Sequence, residues 1–142
     1  MALSSSEQIK ANSKKALEQV DKRVQRIAFN LFMDIVMNTP ELTGALKNNW
    51  FPGIGSDFST ETTSMFSKDG GSSSKARIYS TLGNGTFLGK DGVMTLTNNL
   101  HYAYRAEYEG WPEPKWSGTI GPYGMVRISL ASTIGKIQAG AL

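Results

Sequence analysis

From Glu7 to Met37 the apolar residues Ile9, Ala16, Leu17, Val20, Val24, Ile27, Leu31, Phe32, Ile35 and Val36 recur at intervals of mostly three and four. That spacing lays them along one side of a single long helix. Lys14, Lys15, Glu18, Gln25, Arg26 and Asn30 occupy the solvated remainder. Pro40 restricts Thr39 and donates no backbone hydrogen bond, so the helix stops near Asn38. Thr39-Pro40-Glu41 has the chemistry of a cap and first turn, and predicts one or two further helical turns between Leu42 and Asn49. At ~1.5 Å per residue, about thirty residues of helix reach ~45 Å, longer than a domain of this size is wide. Part of the helix therefore projects or lies against a neighbour, while the rest is expected to cover a sheet.

Beyond Trp50 the pattern shortens. Asp57 to Phe66 carries Phe58, Thr60, Thr62, Thr63 and Met65, a β-branched run suited to an edge strand. Lys68-Asp69-Gly70-Gly71-Ser72-Ser73-Ser74-Lys75 predicts a hairpin tip leading to a strand at Ala76 to Ser80. Asn84-Gly85 and Asp91-Gly92 are turn signals, and Val93 to Thr97 follows as a strand. Residues 101–109 have the spacing of a short helix. Met125 to Leu130 fits strand or helix: its alternation argues strand, while Ala131, Ile134 and Ile137 after it allow a helical turn and a short C-terminal helix. Together these elements predict an α+β fold, a long N-terminal α-helix packed on a mainly antiparallel β-sheet with a hairpin extension. The domain spans 1–142, with 1–8 flexible and 67–75 a mobile tip.

Composition narrows the chemistry. Among 142 residues there is no cysteine and one histidine, His101, which excludes disulfides, thiolate metal sites and multi-histidine clusters. Hydrophobic residues at 39% are few for a self-sufficient core, while glycine at 15 is abundant, a balance that lets partners complete the burial. The net charge of +3 comes from 15 basic and 12 acidic groups, too interspersed to announce a nucleic-acid groove. No run of eighteen apolar residues suggests a membrane span, and the first residues lack the basic and apolar regions of a secretion signal. Gly83-Asn84-Gly85 lacks the spacing of a phosphate-binding loop.

Three segments carry local structural meaning. Thr43 can cap and Gly44 can turn the backbone tightly, so that Leu46 and Trp50 pack beneath the sheet. Asn98 and Asn99 can end a strand through Asx turns and hand over to Tyr102 and Ala103. Glu107 does not share a helix face with Arg105, which makes Arg127 its better partner if the carboxylate is buried, and a structural ion pair outweighs a catalytic role. Trp111 and Trp116 lie in a proline-rich loop, either folded back on the domain or exposed as anchors for a partner.

Taken in order, Thr39-Pro40-Glu41-Leu42-Thr43-Gly44-Ala45-Leu46-Lys47-Asn48-Asn49-Trp50, then Thr97-Asn98-Asn99 through Tyr102-Ala103 and Glu107 to Gly110, then Gly121-Pro122-Tyr123-Gly124-Met125-Val126-Arg127 resemble one family. It is the tail completion or neck proteins of tailed bacteriophages, the head-to-tail connectors. Asn49 departs from the small hydroxyl residue usual there, and Glu109 is inserted before Gly110. The resemblance implies a structural virion protein, assembled in the host cytoplasm, that forms a homo-oligomeric ring at the neck. Such a ring joins the portal or adaptor (connector) proteins to the tail tube or tail terminator protein. A hexamer is expected, with a dodecamer the alternative. DNA would pass through the lumen without sequence-specific binding, and no cofactor, metal or catalytic residue is expected. Lys68, Asp69, Trp111 and Trp116 would then be interface candidates, since each ring subunit needs two different contact surfaces. The alternative is a small nucleic-acid-binding module using Lys10, Lys14, Lys15, Lys22, Arg23 and Arg26. An enzyme built on His101 with Asp91 or Glu107 and a serine ranks third, because no nucleophile motif is present.

Overall fold

The longest element is fixed at both ends by local chemistry. The computed structural model describes residues 3–41, 43–55, 58–64, 67–83, 92–108 and 124–142. Helix α1 runs Ser5–Asn38. Ser4 and Glu7 form a reciprocal capping box, the Ser4 hydroxyl accepting from the Glu7 N–H while the Glu7 carboxylate accepts from the Ser4 N–H at 2.8 Å. These bonds hold the Glu7 carboxyl below the usual range. At the other end the Thr39 hydroxyl donates to the Ile35 carbonyl at 2.6 Å, and the chain leaves in extended geometry before Pro40.

Four further described elements follow the turn at 45–48: strand β1 (Trp50–Ile54), helix α2 (Ser72–Leu82), strand β2 (Met94–Asn98) and helix α3 (Ala103–Tyr108). Helix α4 (Val126–Gln138) comes last. The strands form one antiparallel pair in which Trp50 faces Asn98 and Ile54 faces Met94. Beyond the pair, the Gly55 N–H donates to the Val93 carbonyl at 2.9 Å. Alternation then makes Phe51–Thr97 and Gly53–Thr95 the hydrogen-bonded pairs. Pro52, opposite Leu96, points its missing donor away from β2, where a strand tolerates proline.

The expected architecture is corrected here. The described fold is a mixed α+β arrangement of four helices and a two-stranded open sheet, and α1 packs chiefly against α2 and α4 rather than lying on a sheet. Phe32, Ile35 and Val36 of α1 meet Ile78 and Leu82 of α2, Met125 before α4, Ala106 of α3, Leu46 and Trp50 in one buried cluster. There is no hairpin extension among the described residues. Residues 58–64 form no strand, and the tip expected at 67–75 is the approach to α2 and its first turn. The returning strand expected at 76–80 is helix, because Ser74, Ile78 and Leu82 are the buried positions and they stand four apart.

At 125–130, where the pattern fits strand or helix, the structure has helix α4. Its buried face is Met125, Ser129 and Thr133, again four apart, while the hydrophobics Ile128, Leu130 and Ile134 are exposed. A stripe carried by hydroxyl residues hides its helical period from a hydrophobic reading. Instead of starting a new helix, Thr39 caps α1, and residues 45–48 make a turn closed by the Asn48 N–H on the Gly44 carbonyl at 3.0 Å. The turn signals at 84–85 and 91, and the loop holding Trp111 and Trp116, lie outside the described residues, as does Leu42. No described helix is long and apolar enough to cross a membrane.

Gly44 makes the sharpest backbone demand. Its φ is +84°, and a Cβ there would stand 1.8 Å from the Ser67 carbonyl oxygen. A side chain meets backbone and not a movable rotamer, so relief requires pulling apart two segments. We expect Gly44→Ala to destabilise the fold by at least about 2 kcal/mol, read from a urea unfolding midpoint. A midpoint equal to that of the wild type would contradict this placement of residues 44 and 67.

Candidate functional site

The segments singled out in the sequence converge on one junction between α1, β1, β2, α3 and α4. The buried Trp50 indole N–H donates to the Thr39 Oγ1 at 2.8 Å, tying the start of β1 to the end of α1. Leu46 is buried between them, and its carbonyl accepts from Asn98 Nδ2 at 2.9 Å. The Asn98 Oδ1 accepts from the Leu100 N–H at 3.2 Å, the Asx turn that ends β2. Thr43 Oγ1 accepts from the Ala45 N–H at 3.3 Å and itself is exposed. Tyr102 and Ala103 are half-buried as α3 begins; burial raises the Tyr102 pKa, and its ring meets His101 edge-on at 5.0 Å.

Glu107 closes the junction. Only 7% exposed, it accepts from the backbone N–H groups of Met125 (2.5 Å), Val126 (2.8 Å) and Arg127 (3.1 Å). The carboxylate therefore occupies the N-terminal end of α4, where orphan donors and the helix dipole both favour an anion. Arg127 adds Nε to the same carboxylate at 3.1 Å, reaches the Glu107 carbonyl with its NH2, and stacks over Tyr108 at 5.0 Å. Gly124 leaves room for this arrangement: at φ +79° it carries no side chain, and a Cβ would sit 2.4 Å from Glu107 Oε1. Met125 beside it is 1% exposed. The side chains of Asn98, Glu107 and Arg127 bond chiefly to backbone of neighbouring segments and that of Trp50 to Thr39, so the junction acts as a structural joint.

Sequence reasoning missed a second polar framework. Asn49, fully buried, treats residue 63 as a strand partner: its Nδ2 donates to the Thr63 carbonyl at 3.0 Å and its Oδ1 accepts from the Thr63 N–H at 2.8 Å. Asn99 Nδ2 similarly donates to the carbonyls of Ser59 and Glu61. Asn48, also fully buried, donates to the Ser67 carbonyl and Asp69, and accepts from the Ser73 N–H. Arg77 lies over the Phe51 ring at 4.0 Å and donates to the carbonyls of Trp50 (2.7 Å) and Asn48 (2.8 Å). Burial lowers its pKa. The adjacent Asn48-Asn49 was the available signal, because paired amides beside a tryptophan are costly to bury unless each has backbone to bond.

The interface candidates divide. Lys68 is exposed, whereas the exposed Asp69 is already engaged: its carboxylate accepts from Gly71 N–H, Ser72 N–H, Ser72 Oγ and Asn48 Nδ2. The serine and asparagine bonds are the main cause of its pKa falling to about 2. Gly110, Trp111 and Trp116 lie outside the described residues. His101 is exposed, and Glu107, its imagined catalytic partner, is committed to α4, while Asp91 lies outside the described residues. Among the described residues no group of three or more histidine, aspartate or glutamate side chains is placed to hold a metal ion.

Comparison with protein-family models, with curated proteins and with solved structures gives no match to this chain. The junction is therefore interpreted from its own chemistry.

Two measurements check that chemistry. Glu107→Ala leaves three N–H groups and a guanidinium without their acceptor, and we expect it to cost about 3–5 kcal/mol, with Glu107→Gln, which keeps one acceptor oxygen, costing roughly half. An alanine variant within about 1 kcal/mol of wild type in urea would contradict the joint. For Asp69 the folded pKa of about 2 lies below the ordinary 3.8, so its stabilisation is complete above the latter value and is lost as pH falls between them. Asp69→Asn should accordingly flatten the fall of Tm across that interval, and an unchanged slope would contradict the assignment.

Proposed function

We propose that this chain is a structural subunit of the neck of a tailed bacteriophage, forming a ring with copies of itself that joins the head connector to the tail. The carrying observation is the junction itself. The three segments that resemble tail completion proteins are distant in sequence yet hydrogen-bonded into one polar joint, from Trp50 and Leu46 through Asn98 to Glu107 and the start of α4. Their shared business is architecture, as a joining protein requires. In this reading the portal or adaptor on one side and the tail tube or terminator on the other are the partners, and DNA crosses the lumen without base contacts.

A second reading draws on one specific observation. The six cations and three acids of residues 7–26 sum to +3, and all of them but the buried Asp21 are exposed on α1. A nucleic-acid-binding helix would also concentrate charge there. The three interspersed acids and the apolar side chains beside them favour protein contact over phosphate tracking.

Native mass spectrometry of the purified chain, alone and mixed with connector or tail preparations, separates the two. We expect a discrete closed assembly, six copies or twelve, insensitive to added duplex DNA. A monomer at every concentration and in every mixture, with DNA affinity falling steeply as salt rises, would overturn the ring in favour of the nucleic-acid reading.

A further inference from the structure

Helices α1 and α2 run antiparallel. Gly71 at the start of α2 sits against Val36, where a Cβ would stand 2.6 Å from the valine Cγ1, and two turns further on Tyr79 meets Phe29 edge-on with ring centroids 4.9 Å apart. The C-terminal end of α2 is thereby brought back to residues 22–26 of α1, and a cleft of about 260 Å³ lies between the two helices there. Lys22, Arg26 and Phe29 line it from α1, on one face because they stand four and three apart. Tyr79, Leu82 and Gly83 line it from α2. Leu82 is buried, whereas the Tyr79 ring is 61% exposed beside the cleft.

The charge of this cleft is uncompensated. No acidic residue lines it, and neither Lys22 nor Arg26 makes an ion pair or side-chain hydrogen bond among the described residues. Of the acids nearest on α1, Asp21 is buried and already engaged, and Glu18 stands outside the lining. Part of the positive charge offsets the negative end of α2, but about half an elementary charge there against two cations leaves the cleft positive. An exposed aromatic ring and a pair of cations one helical turn apart therefore face the same space.

We propose that this cleft binds a nucleoside monophosphate, with its base laid on the Tyr79 ring and its phosphate held by Lys22 and Arg26. A phosphate monoester carries about −1.5 to −2 charge at neutral pH and matches two cations better than a carboxylate does. A base stacks on an aromatic side chain whatever its identity. The volume lies near the lower end of ligand sites, about 300 Å³, which suits one base and its phosphate. Duplex DNA is excluded, because its bases are already stacked on one another. The nucleotide can be free or an unpaired member of a single strand, and the assignment does not rest on the ring reading.

The test is calorimetric titration of the full chain with adenosine 5′-monophosphate, and in parallel with adenosine, inorganic phosphate and duplex DNA. We expect saturable binding of the nucleotide with Kd of about 1 mM or tighter, and weaker binding of adenosine and of phosphate alone. Tyr79→Ala should weaken nucleotide binding at least about fivefold. Lys22→Gln with Arg26→Gln should weaken it at least about threefold, while Lys14→Gln with Lys15→Gln, the same charge change on an exposed part of α1 outside the cleft, should leave it unaltered. All four of these cations are exposed, so the charge variants leave the core untouched even if Tyr79→Ala loosens the contact with Phe29. Competition by a single-stranded oligonucleotide at equal nucleotide concentration assigns the ligand to a strand, and its failure to compete assigns it to the free nucleotide. No saturable binding, phosphate binding as tightly as the nucleotide, competition by duplex DNA as strong as by the nucleotide, or equal losses in the two paired charge variants would each overturn the proposal.

Discussion

The buried carboxylate of Glu107 is the constraint on which the rest of the structure depends. Helix α4 has almost no apolar stripe of its own to bury: past Met125 and Val126 its inner face is Ser129 and Thr133. Hydrophobic burial therefore cannot position it, and polar contacts must. Glu107 fixes its start, the Asn38 side chain donates to Ser129 Oγ at 2.9 Å midway, and Lys136 meets Asp34 at 3.3 Å towards its end. Directional bonds set register more narrowly than apolar contact does, and leaving any one of them unmade costs more than the bond contributes. Because α4 covers one side of α1, the orientation of the long helix is set at Glu107 as well.

Much of α1 is legible because its period is carried by hydrophobic residues and its end by Pro40. The strand at 94–98 and the short helix at 103–108 lie within a few residues of where their patterns place them. The sheet beneath α1 was not there to be found. Ser72-Ser73-Ser74 looked like a flexible tip, but Ser74 is buried and its hydroxyl accepts from the Trp50 N–H at 3.1 Å while donating to the Lys47 carbonyl. Small hydroxyl residues at a helix face bury without raising the hydrophobic signal, which hides α2 in the sequence and leaves α4 undecided between strand and helix. The pairing of Glu107 with Arg127 is legible because burial demands a partner; that the carboxylate also caps a helix is not, since the pattern at 125–130 does not decide between strand and helix.

Among the described residues, polar joints tie the elements together at one end of α1 while residues 3–20 at its other end are exposed. Small hydrophobic content limits how much of the chain one domain can bury, and the long helix takes the shortfall: its last turns join the core, while its first turns are exposed. The neck-ring reading gives that asymmetry a purpose, with architecture conserved within the subunit and burial completed between subunits. It also explains why the polar residues at the joint face inward on backbone rather than outward on a substrate.

Hydrogen exchange along α1, followed as protein concentration rises, tests this most directly. If copies of the chain complete the helix, amides of residues 5–20 exchange nearly as fast as free chain in dilute solution and gain protection together with assembly, while those of residues 30–38 are protected throughout. Fast exchange over residues 5–20 that persists in the assembled state, or full protection of them in a proven monomer, would contradict it.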